Sequence, residues 1–151
     1  MEKEDDVKRI GFICIAIVFL LCSVASATNW VFVARESVKN YNLYVDADSV
    51  VQDGDTLSCW TLWVFDYTGP DGEKNLLVKM EFKLTRPPQF RGVEVYYFNG
   101  EGKMIMGPYY HYDSGFNTIA HKSPGEKTLA AARKYAKNGT IGKGMGSMPT
   151  P

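Results

Sequence analysis

The stretch Thr56–Leu84 decides the fold; it reads TLSCWTLWVFDYTGPDGEKNLLVKMEFKL. From Leu76 to Leu84 every second side chain is apolar, and most of the residues between them are charged. This period of two predicts a strand with one buried face. Gly69–Gly72 (GPDG) is a turn signal directly before it. Two consecutive strands of an antiparallel sheet are therefore expected on either side of this turn.

The first of these strands, Thr56–Tyr67, is apolar at both alternate sets of positions. A strand of this kind is typical of the centre of a sheet, where both faces are covered. It contains Cys59, and the other two cysteines of the chain lie before residue 28. Cys59 is thus either buried or paired with another chain, and its place within a strand favours burial.

Further strands and one helix complete the expected fold. Short apolar runs rich in aromatic and β-branched residues predict strands, and Ser123-Pro124-Gly125-Glu126 is a capping box that predicts a helix N-terminus. The predicted fold is α+β: a six-stranded, mainly antiparallel sheet with one C-terminal helix, Pro124 to about Lys137, packed on one face. The other strands are Trp30–Ala34, Tyr41–Val45, Val93–Phe98 and Lys103–Tyr112, and Leu129, Ala132 and Ala136 are expected to face Val78, Met80 or Phe82.

Residues 1–27 have the pattern of a secretory signal peptide. Lys8-Arg9 precede an uncharged apolar run, and Ala25-Ser26-Ala27 is an A-x-A site of the kind that signal peptidase cleaves. The alternative is an uncleaved membrane anchor, because the apolar run approaches the length of a membrane span. The sequence thus divides into 1–27, a domain over 28–138 and a tail over 139–151 that is Gly-, Met- and Pro-rich and expected to be disordered. Either alternative places the domain outside the cytoplasm, in the periplasm or on the cell surface, and membrane contact is expected only through residues 1–27.

Composition argues against some classes of partner. The chain of 151 residues has 17 basic and 17 acidic side chains, so it lacks the basic excess typical of nucleic-acid binding. Aromatic residues make up 13% of it, which favours a packed domain over disorder.

Several short motifs are spread over the chain from about Asn29 to Lys137. They are Asn29-Trp30-Val31, Tyr44–Ser49 (YVDADS), Gly54 before Trp60 and Trp63, Glu81-Phe82, Phe90-Arg91, Tyr96-Tyr97 and Ser123-Pro124-Gly125. In this order they resemble the surface-adhesin protein E-like domain, a family of small exported bacterial proteins. The most specific of them are the tryptophan near the start and the pattern Y-V-D-x-x-S. The resemblance implies the same fold and export.

Two departures from that family's pattern affect what the resemblance implies. Many members carry cysteines where this chain has Leu84 and the Ala136–Lys137 region, so packing must hold the helix here. The lipoprotein signal of the best-known adhesin member is also absent, since Cys22 follows large apolar residues. The resemblance implies an envelope protein, and an adhesive role less directly.

The tyrosines of the last predicted hairpin are the candidate binding residues. Alternation along Val93–Phe98 and Lys103–Tyr112 would expose one aromatic set, and exposed Tyr suits contact with a protein or a glycan. The expected set points away from the helix and contains Tyr97, Tyr109 and Tyr112. Pairing between aromatic side chains that only stabilises the sheet is the alternative.

The sequence predicts a non-enzymatic binding module with no catalytic residues, no cofactor and no metal. The rival hypothesis is a small metal-dependent protein or enzyme that uses His111 and Asp113, which share one side of a strand. A first-row metal site needs three or four ligands, and no third ligand is evident nearby.

Overall fold

A computed structural model describes residues 28–110 and 115–138. The described residues form one large sheet and one α-helix, and six strands make up the main path of the sheet in the order β1-β2-β4-β5-β6-β7. This confirms the predicted α+β class and the six principal strands, to which three short strands are added. The strands are β1 (Trp30–Glu36), β2 (Tyr41–Asp46), β3 (Val51–Asp53), β4 (Thr56–Phe65), β5 (Asn75–Lys83), β6 (Gln89–Phe98), β7 (Met104–Tyr110), β8 (Asn117–Thr118) and β9 (Lys137–Asn138).

The pairing is antiparallel throughout the main path. β4 lies between β2 and β5, and its residues 57–62 are buried, as predicted for a central strand. The β3–β4 hairpin turns at Gly54, whose φ of +59° is accessible to Gly at little cost. Among the described strands, one pair is parallel, β3 with β9.

The helix α1 (Pro124–Arg133) is shorter than predicted. Ser123 is its N-cap and accepts a hydrogen bond from the backbone N–H of Glu126 at 3.2 Å, with Pro124 in the first turn. The predicted end at Lys137 is wrong. Lys137 belongs instead to β9, which pairs with Val51 and Gln52 of β3, so strand pairing overrides the local helix propensity of this segment.

α1 packs on one face of the sheet, the helix-side face, and lies against β1 and β2. Leu129 and Ala132 join one buried cluster with β-strand residues, and Ala136 packs at its edge, which confirms the predicted side of the sheet. The strand members of this cluster include Val45, Leu57, Cys59, Val78, Met80, Phe82 and Val95.

The opposite face of the sheet carries a second apolar cluster. Trp60 and Leu77 are 3% and 1% exposed and pack with Tyr96 and Phe98, with Trp30 at the edge. Lys79 lies beside them, with its Nζ 3.5 Å from the carboxylate of Glu94 and 5.9 Å from the ring centre of Trp60. The sheet therefore has buried side chains on both faces, as the sequence of β4 predicts.

β7 is at one end of the strand order and is irregular. Its register against β6 shifts between Val95 and Tyr97 and again between Tyr97 and Phe98. Gly107 has a φ of +111°, and a Cβ there would lie 2.8 Å from the carbonyl oxygen of Val95. Pro108, which cannot donate a hydrogen bond to a neighbouring strand, follows directly, as is usual for a proline in an edge or bulged strand. Across residues 28–110 and 115–138, no helix is long and apolar enough to cross a membrane.

Candidate functional site

A cleft of about 390 Å³ opens on the helix-side face, between the sheet and the N-terminus of α1. This volume is at the lower end of the range for small-molecule sites. Residues far apart in the sequence form its walls. They are Lys39, Tyr41, Thr61, Trp63, Met80, Phe90, Asn117, Thr118, Ala120, Ser123, Pro124, Gly125 and Thr128.

A stacked aromatic pair forms one wall of the cleft. The rings of Tyr41 and Trp63 are 4.8 Å apart at an angle of 28°, and Phe65 contacts Tyr41 edge-on at 5.7 Å. The pairing follows from the register of β2 and β4, in which Tyr41 is opposite Phe65 and Leu43 is opposite Trp63. Burial, with a smaller effect from Glu36, raises the pKa of Tyr41 to about 12. Its phenol is therefore neutral at physiological pH.

The hydroxyl groups of the two buried threonines in the cleft already have protein partners. The Oγ1 of Thr61 donates to the carbonyl of Val78 at 3.1 Å and accepts from the indole Nε1 of Trp63 at 3.2 Å. The Oγ1 of Thr128 donates to the carbonyl of Pro124 at 2.8 Å. The inner surface of the cleft is consequently mainly apolar, since most of the other groups that line it are aromatic or aliphatic.

The rim of the cleft is polar and open to solvent. Lys39, Asn117, Thr118 and Ala120 are all exposed. Lys39 is the single charged side chain among the lining residues. The cleft thus combines an apolar interior with one cationic group at its mouth.

The structure places two of the predicted tyrosines on the helix-side face. Tyr109 is opposite Val95 in the β6–β7 pairing, and its ring contacts that of Tyr97 edge-on at 6.1 Å. Tyr97 is half-buried and packs at the edge of the helix-side cluster, whereas Tyr109 is 46% exposed. The expectation that these two point away from the helix is wrong, because the bulges in the hairpin fix a register that the sequence does not reveal. Tyr109 is exposed there because α1 lies against β1 and β2, at the other end of the sheet.

Tyr110 was not among the predicted site residues, although it is the most exposed of the hairpin tyrosines that the structure describes. It is opposite Glu94, so it lies on the face away from α1, and it is 63% exposed. Tyr112, the third predicted binding residue, lies outside the described residues, and so do His111 and Asp113. In the part of the chain that the structure describes, no three His, Cys, Asp or Glu side chains are grouped so that they could hold a metal ion.

Cys59 is buried and unpaired, which matches the favoured prediction. Burial, with a smaller effect from Asp46, raises the pKa of its thiol to about 12. A thiol that stays protonated is a poor nucleophile, so Cys59 acts as a core residue in the folded domain.

Sequence reasoning missed the cleft altogether. The alternation of β4 places Thr61 and Trp63 on one face, and this was the available signal. The other walls of the cleft come from the β1–β2 turn, β6, β8 and the helix N-terminus, and only the tertiary fold brings them together.

Comparison with known proteins finds no relative of this chain: no family model, no curated protein and no solved structure matches it.

Proposed function

We propose that this chain is an exported, non-enzymatic binding module of the bacterial cell envelope, related to the surface-adhesin protein E-like domains, and that it contacts another protein through β7. The observation that carries the proposal is the concentration of exposed apolar side chains on this strand. Of the six large hydrophobic residues that are exposed in the described chain, three lie on β7: Met104, Tyr109 and Tyr110, at 48%, 46% and 63% exposure.

The position of β7 supports strand addition as the mode of contact. Within the described residues β7 pairs with β6 and, on its other side, with no strand. Tyr109 lies towards one face of the sheet, and Met104 and Tyr110, opposite Phe98 and Glu94, lie towards the other. An added strand would pair with the backbone of β7, and its alternate side chains would contact these apolar groups on both faces. A protein with an extended segment fits this arrangement better than a glycan.

The test is a quantitative capture experiment in which this protein, immobilised and intact, is exposed to extracts of the native cell envelope. Wild type is compared with a Tyr109→Ser/Tyr110→Ser variant, and captured proteins are measured by mass spectrometry. Because exposed aromatic residues at protein interfaces often contribute about 2 kcal/mol each, the variant should capture at least about tenfold less of the true partner.

A Phe32→Ser/Tyr67→Ser variant is the matched control. Phe32 and Tyr67 are exposed aromatic residues at 56% and 52%, and neither lies on β7. The control should retain the partner at the wild-type level. Equal capture by wild type and both variants would place the contact surface elsewhere, and capture of glycan-bearing material alone would contradict the protein partner.

A further inference from the structure

We infer that the cleft between the helix-side face and the N-terminus of α1 is a second, independent binding site, and that it takes a small amphiphilic anion with a single apolar chain or ring system. This site does not depend on the β7 contact, since the two share no residue.

The interior of the cleft determines the apolar part of the ligand. Tyr41 and Met80 are 2% and 6% exposed, and Trp63, Phe90 and Pro124 are half-buried. The buried hydroxyls of Thr61 and Thr128 are already engaged within the protein. A sugar ring would need several hydrogen bonds from such groups, and without them its hydroxyls would be buried unpaired at a cost of about 1–3 kcal/mol each. A hydrocarbon chain or aromatic ring has no hydroxyl groups, so it enters the cleft without this cost.

The mouth of the cleft determines the charge. Lys39 is the single charged group among the lining residues, and it is exposed on the turn between β1 and β2. A carboxylate or sulfonate at the end of the apolar body would lie near this ammonium group while the body fills the cleft. A cation in that place would be repelled, so the arrangement selects anions over neutral and cationic amphiphiles.

The size of the cleft limits the ligand to one chain. A volume of about 390 Å³ is close to the smallest that holds drug-sized molecules. A two-chain membrane lipid would leave most of its hydrocarbon in water. The ligand class is therefore that of medium-chain carboxylates and small aromatic acids.

Fluorescence titration of the full-length protein with anilinonaphthalene sulfonate tests this inference, because the probe has an aromatic body and one negative charge. Ala120→Trp places a large side chain at the exposed rim and should weaken probe binding by at least about tenfold. Ala130→Trp is the matched control: Ala130 is exposed on α1 and does not line the cleft, so its titration should equal that of wild type. Probe bound to any other part of the chain is the same in all three proteins and cancels in the comparison.

Competition with decanoate and decanol tests the charge. Decanoate should displace the probe from wild type about two- to fivefold more effectively than decanol, as expected for one exposed ionic contact. Lys39→Glu should remove or reverse this preference, and Lys122→Glu, which changes an exposed lysine outside the lining, should leave it unchanged. Near-ultraviolet circular dichroism establishes that each variant keeps the native fold. Equal probe binding by wild type and Ala120→Trp, or a decanoate preference that survives Lys39→Glu, would overturn the assignment.

Discussion

Thr61 links the fold to the cleft through a single hydroxyl group. It is 1% exposed, and its Oγ1 bridges the backbone of β5 at Val78 and the indole N–H of Trp63. The same hydrogen bond from Trp63 orients the ring that stacks on Tyr41. One buried polar atom therefore both satisfies two other polar groups and fixes the aromatic wall of the cleft.

Replacement of Thr61 by Val should destabilise the domain by about 1–3 kcal/mol. Valine has the same shape as threonine but no hydroxyl group. The indole N–H of Trp63 and the carbonyl oxygen of Val78 would each lose the hydrogen bond that they make with Thr61. Leaving a buried polar group without its partner costs an amount in this range. Urea denaturation followed by circular dichroism measures it. Thr68→Val is the control, because Thr68 is exposed in a loop and its replacement should change the free energy of unfolding by no more than about 0.5 kcal/mol. Equal midpoints for the two variants would show that the hydroxyl of Thr61 contributes nothing to stability.

The start of α1 is held by a network of hydrogen bonds around Glu126. Its carboxylate accepts from the backbone N–H of Lys122 at 2.6 Å and is 3.2 Å from the Nδ1 of His121. The predicted capping box is thus present, with the Glu side chain reaching the residue before the N-cap rather than Ser123 itself. The hydrogen bond from Lys122 and the interaction with His121 lower the pKa of Glu126 below its ordinary value of 4.5.

The stabilising effect of Glu126 should depend on pH in a defined direction. Its pKa is lower in the folded state than in the unfolded state, so the stabilisation is fully present above the unfolded value and is lost as the pH falls through the folded value. Glu126→Gln should therefore be less stable than wild type near pH 6, and the difference in the free energy of unfolding should shrink as the pH falls below 4.5, as measured by urea denaturation at each pH. Glu101→Gln, which removes an exposed carboxylate from the β6–β7 turn, should reproduce the wild-type curve. A constant difference between wild type and Glu126→Gln at every pH would refute the linkage.

Elements with a clear period or a turn signal could be predicted from the sequence, and those defined by tertiary pairing could not. β5 could be predicted because the alternation of apolar and charged side chains along it indicates a strand with one buried face. β8 and β9 are two residues each, too short for any periodic pattern. The end of α1 was missed because the segment before Lys137 has helical propensity, yet that residue pairs with β3.

The candidate sites show the same limit. Which tyrosines of the last hairpin share a face depends on bulges within β6 and β7, and a one-residue shift of register moves every side chain to the other face. For this reason the sequence could identify Tyr109 as a candidate binding residue but could not predict the face of the sheet on which it lies. The cleft was beyond prediction because its walls, from Lys39 to Thr128, meet only after the helix has packed on the sheet.

At the scale of the whole molecule, the two proposed contact regions are carried by different parts of one sheet. The cleft lies on the helix-side face, with lining residues from β2, β4, β5, β6 and β8, whereas β7 is the last strand of the order and contributes none. A ligand in the cleft and a strand added to β7 could therefore be bound at the same time. The central strands β4 and β5, buried on both faces over much of their length, contribute to the floor of the cleft, and β6 lies between them and β7.

The same layout bears on the proposed export of the domain. β1 begins at Trp30, three residues after the predicted cleavage site at Ala27, and the carbonyl of Asn29 accepts a hydrogen bond from the backbone N–H of Ala47 at 2.9 Å. The folded domain therefore already uses the chain two residues beyond this site. Mass spectrometry of the protein purified from the native cell envelope should find Thr28 as the N-terminus. An Ala25→Leu/Ala27→Leu variant removes the small side chains that signal peptidase needs and should accumulate as the uncleaved precursor in the membrane fraction, whereas Ser26→Thr should be processed normally. Recovery of wild type with residues 1–27 intact in the membrane would favour the uncleaved anchor, and recovery of the intact chain from the cytoplasm would contradict export itself.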